Sequence, residues 1–346
     1  VWVRFPLPAP QKTAWLCENR RFSFCSKRRT THCDTRIPRI IHFGDKHLQK
    51  CNFLKRKGIL LSIQTRKIKA MGMMVACSLL WSIGGLFIKL LPLPALAIAS
   101  LRSIIAAGVI YLYMRVRKIP FCLNRNSLFI GLTLSITLVC FVAANKLTTA
   151  ANAIILQFTA PIFMVVILVL IYKQHFRRAD YAAITLTFLG IALCFLGETG
   201  QGSTLGNAIA ICSGFTYGCM YIFSGSSDFS TRMSGILLGQ LMSFGMGLPF
   251  LFQVETFPPT SLALILGLGV LQLGIPYLLM SMAANDCSPL HCCLISVIEP
   301  LISPFWVFLF YGEQPSPFAV VGSILVLVTV TTWSIGNARA EETAVG

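Results

Sequence analysis

The chain has 346 residues, of which 55% are hydrophobic and only 12% charged, against about 25% charged in ordinary soluble domains. A mean hydropathy of +0.73 says the same, and places most of the polypeptide in lipid. The net charge of +17 is not spread along the chain: residues 1–70 hold 17 Lys and Arg against 3 Asp and Glu, and the remainder holds 12 against 9.

Residues 1–70 contain no methionine and mix Cys, His, Arg and Thr without helical or strand periodicity. Met71 is the first methionine, and an apolar span starts with it. The expectation is that translation begins at Met71, so that the basic segment is not made or never folds. The rivals are an Arg-rich, acid-poor transit peptide and a polybasic arm that touches anionic lipid. Nucleic-acid binding is not expected, because Lys27-Arg28-Arg29 and Lys55-Arg56-Lys57 have no domain to present them.

A hydrocarbon core about 30 Å thick needs roughly 20 apolar residues of helix. Ten stretches qualify: 71–91, 94–114, 127–145, 150–172, 180–197, 204–224, 233–252, 259–283, 289–310 and 315–336. Pro92, Pro94, Gly200, Gly202, Pro258-Pro259, Pro289, Pro315 and Pro317 punctuate the short links; proline at a helix start has no intrahelical N–H to lose. Starting the first span from the cytoplasm puts Arg115, Arg117, Lys118, Arg125, Lys173, Arg177, Arg178, Arg232 and Arg339 inside, and leaves Lys146 and Lys89 outside. Positive residues favour the cytoplasmic side, so both termini are expected there. Gly84-Gly85, Gly214 and Gly218, Gly235 and Gly239, Gly245 and Gly247, and Gly267 and Gly269 suit close helix contacts.

The fourth and ninth stretches read as copies. Pro161, Tyr172 and Gln174 recur as Pro300, Tyr311 and Glu313, each at an offset of 139. Ala144-Asn145-Lys146 is echoed by Ala284-Asn285-Asp286 at 140. A unit of five helices crosses an odd number of times, so its duplicate lies upside down. That is the plan of secondary transporters, whose substrate path runs between the halves.

Most catalytic chemistry finds no support. No phosphate-binding G-x-x-x-x-G-K-[ST] or H-E-x-x-H pattern occurs, and only His175 and His291 lie beyond residue 70. The 13 cysteines form no C-x-x-C, and Cys292-Cys293 read as small packing residues. No cofactor and no metal are expected. What remains is a set of polar groups on apolar helices, where each is expensive and functional by default.

Trp81 and Lys89 in the first span, Arg102 in the second, the Pro161 helix with its repeat, and Glu299-Pro300 through Tyr311-Gly312-Glu313 to Gly322 resemble the drug/metabolite transporter superfamily, EamA type. The resemblance covers residues 71–338, with one departure: Gln174 stands where the repeat has the acidic Glu313. It implies ten helices, cytoplasmic termini and movement of amino acids, related metabolites or drugs, often outward.

The reading is therefore an all-α integral membrane protein with ten transmembrane helices as two inverted five-helix repeats, 71–200 and 201–338, behind the 1–70 segment. The expected activity is secondary transport of small organic solutes by alternating access, as an exporter of the plasma membrane. Import or facilitated diffusion is the alternative, with a receptor or scaffold behind it; an enzyme is not expected. The partners are a small-molecule substrate, the bilayer, a coupling proton and a second copy of the chain. Trp81 either walls the cavity or packs. Arg102 either joins an ion pair or lies on the pathway. Gln157 and the backbone freed by Pro161 are expected to line the cavity, and Tyr277 to do so or to bond a neighbouring helix. Asn145 and Asn285 are expected to cap helix C-termini. Glu299, before Pro300, either pairs with Arg102 or Lys89 or takes part in the transport cycle.

Overall fold

The structure is a computed structural model that describes residues 64–148, 150–194, 203–254, 258–311 and 317–343. The Lys89 side chain, Glu255, Gly312 and Glu313 lie outside the described residues, as do residues 1–63. Every described element is a helix or a turn between helices. Helix α1 spans 64–81, and α2 (Gly84–Leu90) continues it after a two-residue turn. Then come α3 (Ala95–Val116), α4 (Arg125–Leu147), α5 (Ala150–Gln157), α6 (Ala160–Leu170) and α7 (Arg178–Cys194). The second half holds α8 (Thr204–Gly225), α9 (Phe229–Leu251), α10 (Pro259–Gly267), a π-helical segment Leu268–Gly274, α11 (Ile275–Ala283), α12 (Pro289–Ile295), α13 (Ile298–Tyr311) and α14 (Pro317–Thr343). Among the described residues, six runs are long and apolar enough to cross a membrane: Gln64–Ile88, α3, α4, α8, α9 and Pro259–Ala283. The helix expected from Met71 is already present at residue 64, the first described residue.

Local chemistry sets the helix ends. Asn124 and Ser127 form a reciprocal capping box at the start of α4. Ser203, Asp228 and Ser288 each accept a backbone N–H from the first turn they precede. Helix α3 closes with Lys118 in the left-handed region (φ 53°), so that Ile119 N–H reaches Met114 O at 2.9 Å and Lys118 N–H reaches Arg115 O at 3.2 Å. Those bonds satisfy carbonyls that the helix end would orphan.

The fourth apolar stretch is broken at Phe158–Thr159 and the ninth at Ser296–Val297. Each break precedes its proline, Pro161 or Pro300, within one residue of the 139-residue offset. Proline cannot donate to the carbonyl four residues back, which releases Gln157 O in one copy and Ser296 O in the other. In the second, Glu299 N–H takes Ser296 O at 3.0 Å.

Packing follows a matched scheme. Helix α4 lies against α8 and α9, while the π segment lies against α3; α5 and α6 lie against α8, while α13 lies against α2. Helices α3 and α9 pair directly, as do α7 and α14. Most of the glycines sit at these contacts. A Cβ on Gly214 would stand 2.8 Å from the Leu156 and Gln157 carbonyl oxygens, and one on Gly269 would stand 2.5 Å from Ile105 Cβ. A Cβ on Gly245 would meet nothing within 4 Å.

The ends collect on two faces. On one, Lys146 Nζ donates to Leu91 O at 3.0 Å, and Thr148 Oγ1 donates to Asn207 Oδ1 at 2.8 Å. The end of α2, the end of α4 and the start of α8 therefore meet there. On the other, Asn124 Nδ2 donates to Thr231 Oγ1 at 2.9 Å, and Arg232 ties together three helix ends. Arg232 is buried in the first turn of α9. It donates to Ser224 O (2.8 Å), Ser227 O (2.7 Å), Ser281 O and Asn285 Oδ1 (2.9 Å). Counted as a loop charge in the sequence, it is instead an internal clamp on carbonyls at the ends of α8 and α11. Asn285 serves that clamp. Asn145 does not cap α4 either: it lies before the last residues of that helix and donates to Phe141 O at 2.9 Å.

Candidate functional site

Residues close to both helix breaks line one small cavity of about 30 Å³. Gln157, the last residue of α5, and Glu299, in the first turn of α13, line it from the two broken spans. Arg102 enters from α3, Thr137, Leu138 and Phe141 from α4, and Tyr217 from α8. Trp81 at the end of α1, Gln272 and Leu273 on the π segment, and Tyr277 on α11 complete the wall.

Arg102 is fully buried. Its Nη1 donates to the Gln272 side-chain oxygen at 3.2 Å, and its Nη2 to Leu138 O at 3.1 Å. Among the described residues its Nε has no hydrogen-bond partner. Among the described residues no ion pair joins Arg102 to Glu299, although the two share the cavity. The guanidinium is thus anchored by neutral acceptors and keeps donor capacity toward the interior. Glu299 is the acidic residue in the first turn of a 14-residue helix. The positive end of the helix dipole favours a carboxylate there.

The aromatic wall is built edge to face. Trp81 meets Tyr277 at 5.4 Å between ring centroids and Tyr217 at 6.2 Å. Tyr217 and Tyr221 are one helical turn apart, with hydroxyls 3.1 Å from each other. Gln157 Nε2 donates to Ser213 Oγ at 2.9 Å, Ser213 Oγ donates to Thr137 O, and Thr137 shares a hydroxyl contact of 2.8 Å with Thr216. These bonds link α5, α8 and α4 around the cavity floor.

Five of the residues singled out in the sequence, Trp81, Arg102, Gln157, Tyr277 and Glu299, come together here from five separate elements. Pro161 and Pro300 do not line the cavity; both are buried and open the helices that follow the breaks. Tyr217, Gln272 and Thr137 were not anticipated. Gln272 had a signal, since it is the one polar residue in Leu-Gly-Val-Leu-Gln-Leu-Gly. Its direction depends on the π-helical turn, a feature that recurs at functional sites. Gly84 leaves room for it, since a Cβ there would stand 2.7 Å from the Gln272 amide nitrogen.

An all-helical membrane protein with a polar, aromatic-walled cavity between two similarly packed halves has the architecture of a membrane transporter. The EamA-like transporter family matches residues 68–196 and again 204–334, and the chain belongs to that family, within the drug/metabolite transporter superfamily. A protein of Archaeoglobus fulgidus described as an uncharacterized transporter is 23% identical over 223 residues, covering 61% of this chain and 79% of its own length. A solved structure described only as "Crystal structure of protein" superposes with a TM-score of 0.66 at 16% identity, covering 79% of this chain and 98% of that one. This last likeness concerns the fold alone.

Proposed function

We propose that the chain is a secondary transporter of small organic solutes that crosses the bilayer ten times as two inverted five-helix repeats. The observation that carries this is the cavity itself: one guanidinium, one carboxylate and four aromatic rings meet beside residues that flank two proline-opened helix breaks. Broken helices supply backbone and dipole ends to transporter sites near the membrane midplane. Pockets for small molecules run to about 300–1,000 Å³, whereas this one holds about 30 Å³, room for roughly two waters. In the proposed cycle this is a closed form, and substrate enters only when the helices around the breaks separate. Alternating access supplies that opening. The direction is read as export, in the plasma membrane with both termini cytoplasmic, on the strength of the basic loops and of the family resemblance.

The test is counterflow in proteoliposomes preloaded with amino acids, amines, nucleosides or sugars, comparing wild type with Glu299→Gln. A substrate that exchanges across the membrane supports transport. Loss of gradient-driven flux in Glu299→Gln, with exchange retained, assigns proton coupling to Glu299; an unchanged rate and pH dependence removes Glu299 from the cycle. An imposed gradient separates export from import. Consumption rather than relocation of the solute would overturn the reading.

A further inference from the structure

A second pocket, of about 180 Å³, lies between the α6–α7 loop, the start of α12 and α14. Phe176 and Arg177 line it from the loop, Asp180 from the first turn of α7, Ser288 and His291 from the start of α12, and Trp333 from α14. A Cβ on Gly225, the last residue of α8, would collide with the Pro289 ring, so the pocket lies on the face that holds the Arg232 clamp. Its polar groups are already fixed by bonds within the fold. Asp180 is buried and both its oxygens are taken: Oδ2 accepts Arg177 N–H and Oδ1 accepts Trp333 Nε1–H, each at 2.8 Å. The indole held in this way lies against the His291 ring, with centroids 4.5 Å apart. Ser288 Oγ accepts His291 N–H at 3.3 Å and lies 2.7 Å from His291 Nδ1. With the hydroxyl hydrogen directed at Nδ1, the ring proton sits on Nε2. Among the described residues, neither Nε2 nor the exposed Arg177 guanidinium makes a hydrogen bond or ion pair. The carboxylate is thus consumed inside the fold, while a cation and an imidazole N–H remain unused at the pocket.

Unused donors of this kind select an anion. The pocket is smaller than the roughly 300–1,000 Å³ of sites for drug-sized molecules, so it admits an anionic group rather than a whole metabolite. Its surroundings show where that group comes from. Leu170 and Ile171, at the end of α6, are exposed, as is Tyr181 beside Asp180, and in a membrane protein such apolar surface is covered by lipid. Lys173 and Arg178 add exposed cations next to Arg177. Basic pockets between membrane helices bind anionic headgroups, and tryptophan is enriched at headgroup depth. We infer that this pocket holds the phosphate of an anionic phospholipid, with Arg177 and His291 Nε2 donating to its oxygens and the acyl chains lying along the end of α6. A headgroup seated there joins α7 to α12, the half-helix that runs to the break before Glu299.

The experiment incubates the full-length protein in detergent micelles with equimolar short-chain phosphatidylglycerol and phosphatidylcholine, and reads the retained lipid by native mass spectrometry. Wild type is expected to retain phosphatidylglycerol in preference. Arg177→Gln is expected to lose about fivefold of that preference, the effect of one basic side chain at an anionic bilayer surface. Arg177 is exposed, so its replacement does not disturb the core. His291→Gln is expected to lower the preference too, but it also removes the ring from Trp333, which leaves Arg177→Gln as the deciding variant. Arg117→Gln, which removes an exposed cation from the end of α3, is expected to keep the preference. Excess inorganic phosphate or glycerol phosphate should not displace the lipid; displacement would make this a site for soluble anions and overturn the inference. Equal retention of the two lipids by wild type, or the same loss in Arg117→Gln as in Arg177→Gln, overturns it as well. None of these readouts depends on transport.

Discussion

Gly214 shows how little room single positions leave. The backbone carbonyls of Leu156 and Gln157, at the end of α5, would lie 2.8 Å from any Cβ placed there. Backbone cannot swing aside as a flexible side chain can, so Gly214→Ala must push α8 away from the break that carries Gln157. Overpacking of this kind costs about 1–3 kcal/mol. Gly245→Ala is the matched control, because a Cβ there meets nothing within 4 Å and alanine is favoured over glycine in a helix by about 0.5–1 kcal/mol. Thermal unfolding in micelles should therefore separate the two variants in opposite directions; equal midpoints would mean that α5 and α8 are not in contact. The candidate site was visible in the sequence at this same scale, but unevenly. Arg102, Glu299 and Gln157 stood out because charge or amide groups are costly in apolar helices. Tyr217 did not, since a tyrosine in a helix with Tyr221 one turn on reads equally well as packing.

Helix ends explain the rest of what the sequence hid. The apolar stretches mark where helices run, and the prolines mark where two of them break, but which carbonyls converge on a side chain is a matter of packing. Arg232 is the clearest case: immediately before the start of its expected span, it looked like a loop charge for the membrane surface. Helix α9 in fact begins at Phe229, which carries Arg232 into the gap between the ends of α8 and α11. Hydrogen bonds from a charged donor contribute about 1.5–3 kcal/mol each, and the carbonyls of Ser224, Ser227 and Ser281 would lose theirs together in Arg232→Met. That variant is expected to lose more than about 2 kcal/mol, whereas Asn285→Ala, which removes one acceptor and leaves three, is expected to lose less. Denaturation monitored by tryptophan fluorescence orders them. If Arg232→Met is the more stable, the carbonyl clamp is not a stabilising feature of α9. Pro161 and Pro300 belong to this scale too, acting through the carbonyls they release.

At the scale of the whole molecule, two proximities bear on the proposed opposition of the halves. Lys146 at the end of α4 holds the end of α2, and Thr148 just beyond it holds the start of α8. The first helical run of one half thus ends where the first helix of the other begins, as opposed repeats require. The 139-residue offset carried the repeat into view before any geometry, because prolines and the aromatic pair were kept in register. Its sense across the bilayer rests on the basic loops alone, and that is what the last prediction tests. In a cysteine-less background, single thiols are placed at Leu147, 45% exposed at the end of α4, and at Arg178, the exposed first residue of α7. A broken but membrane-crossing α5–α6 puts these positions on opposite faces. An impermeant maleimide should label Leu147→Cys on intact cells and Arg178→Cys only after permeabilisation, because the positively charged end stays inside. The reversed pattern would invert the orientation while leaving the opposed repeats intact. Labelling of both from one side would mean that α5 and α6 turn back at the Phe158–Thr159 break instead of crossing, and the paired-break cavity would then belong to a re-entrant loop.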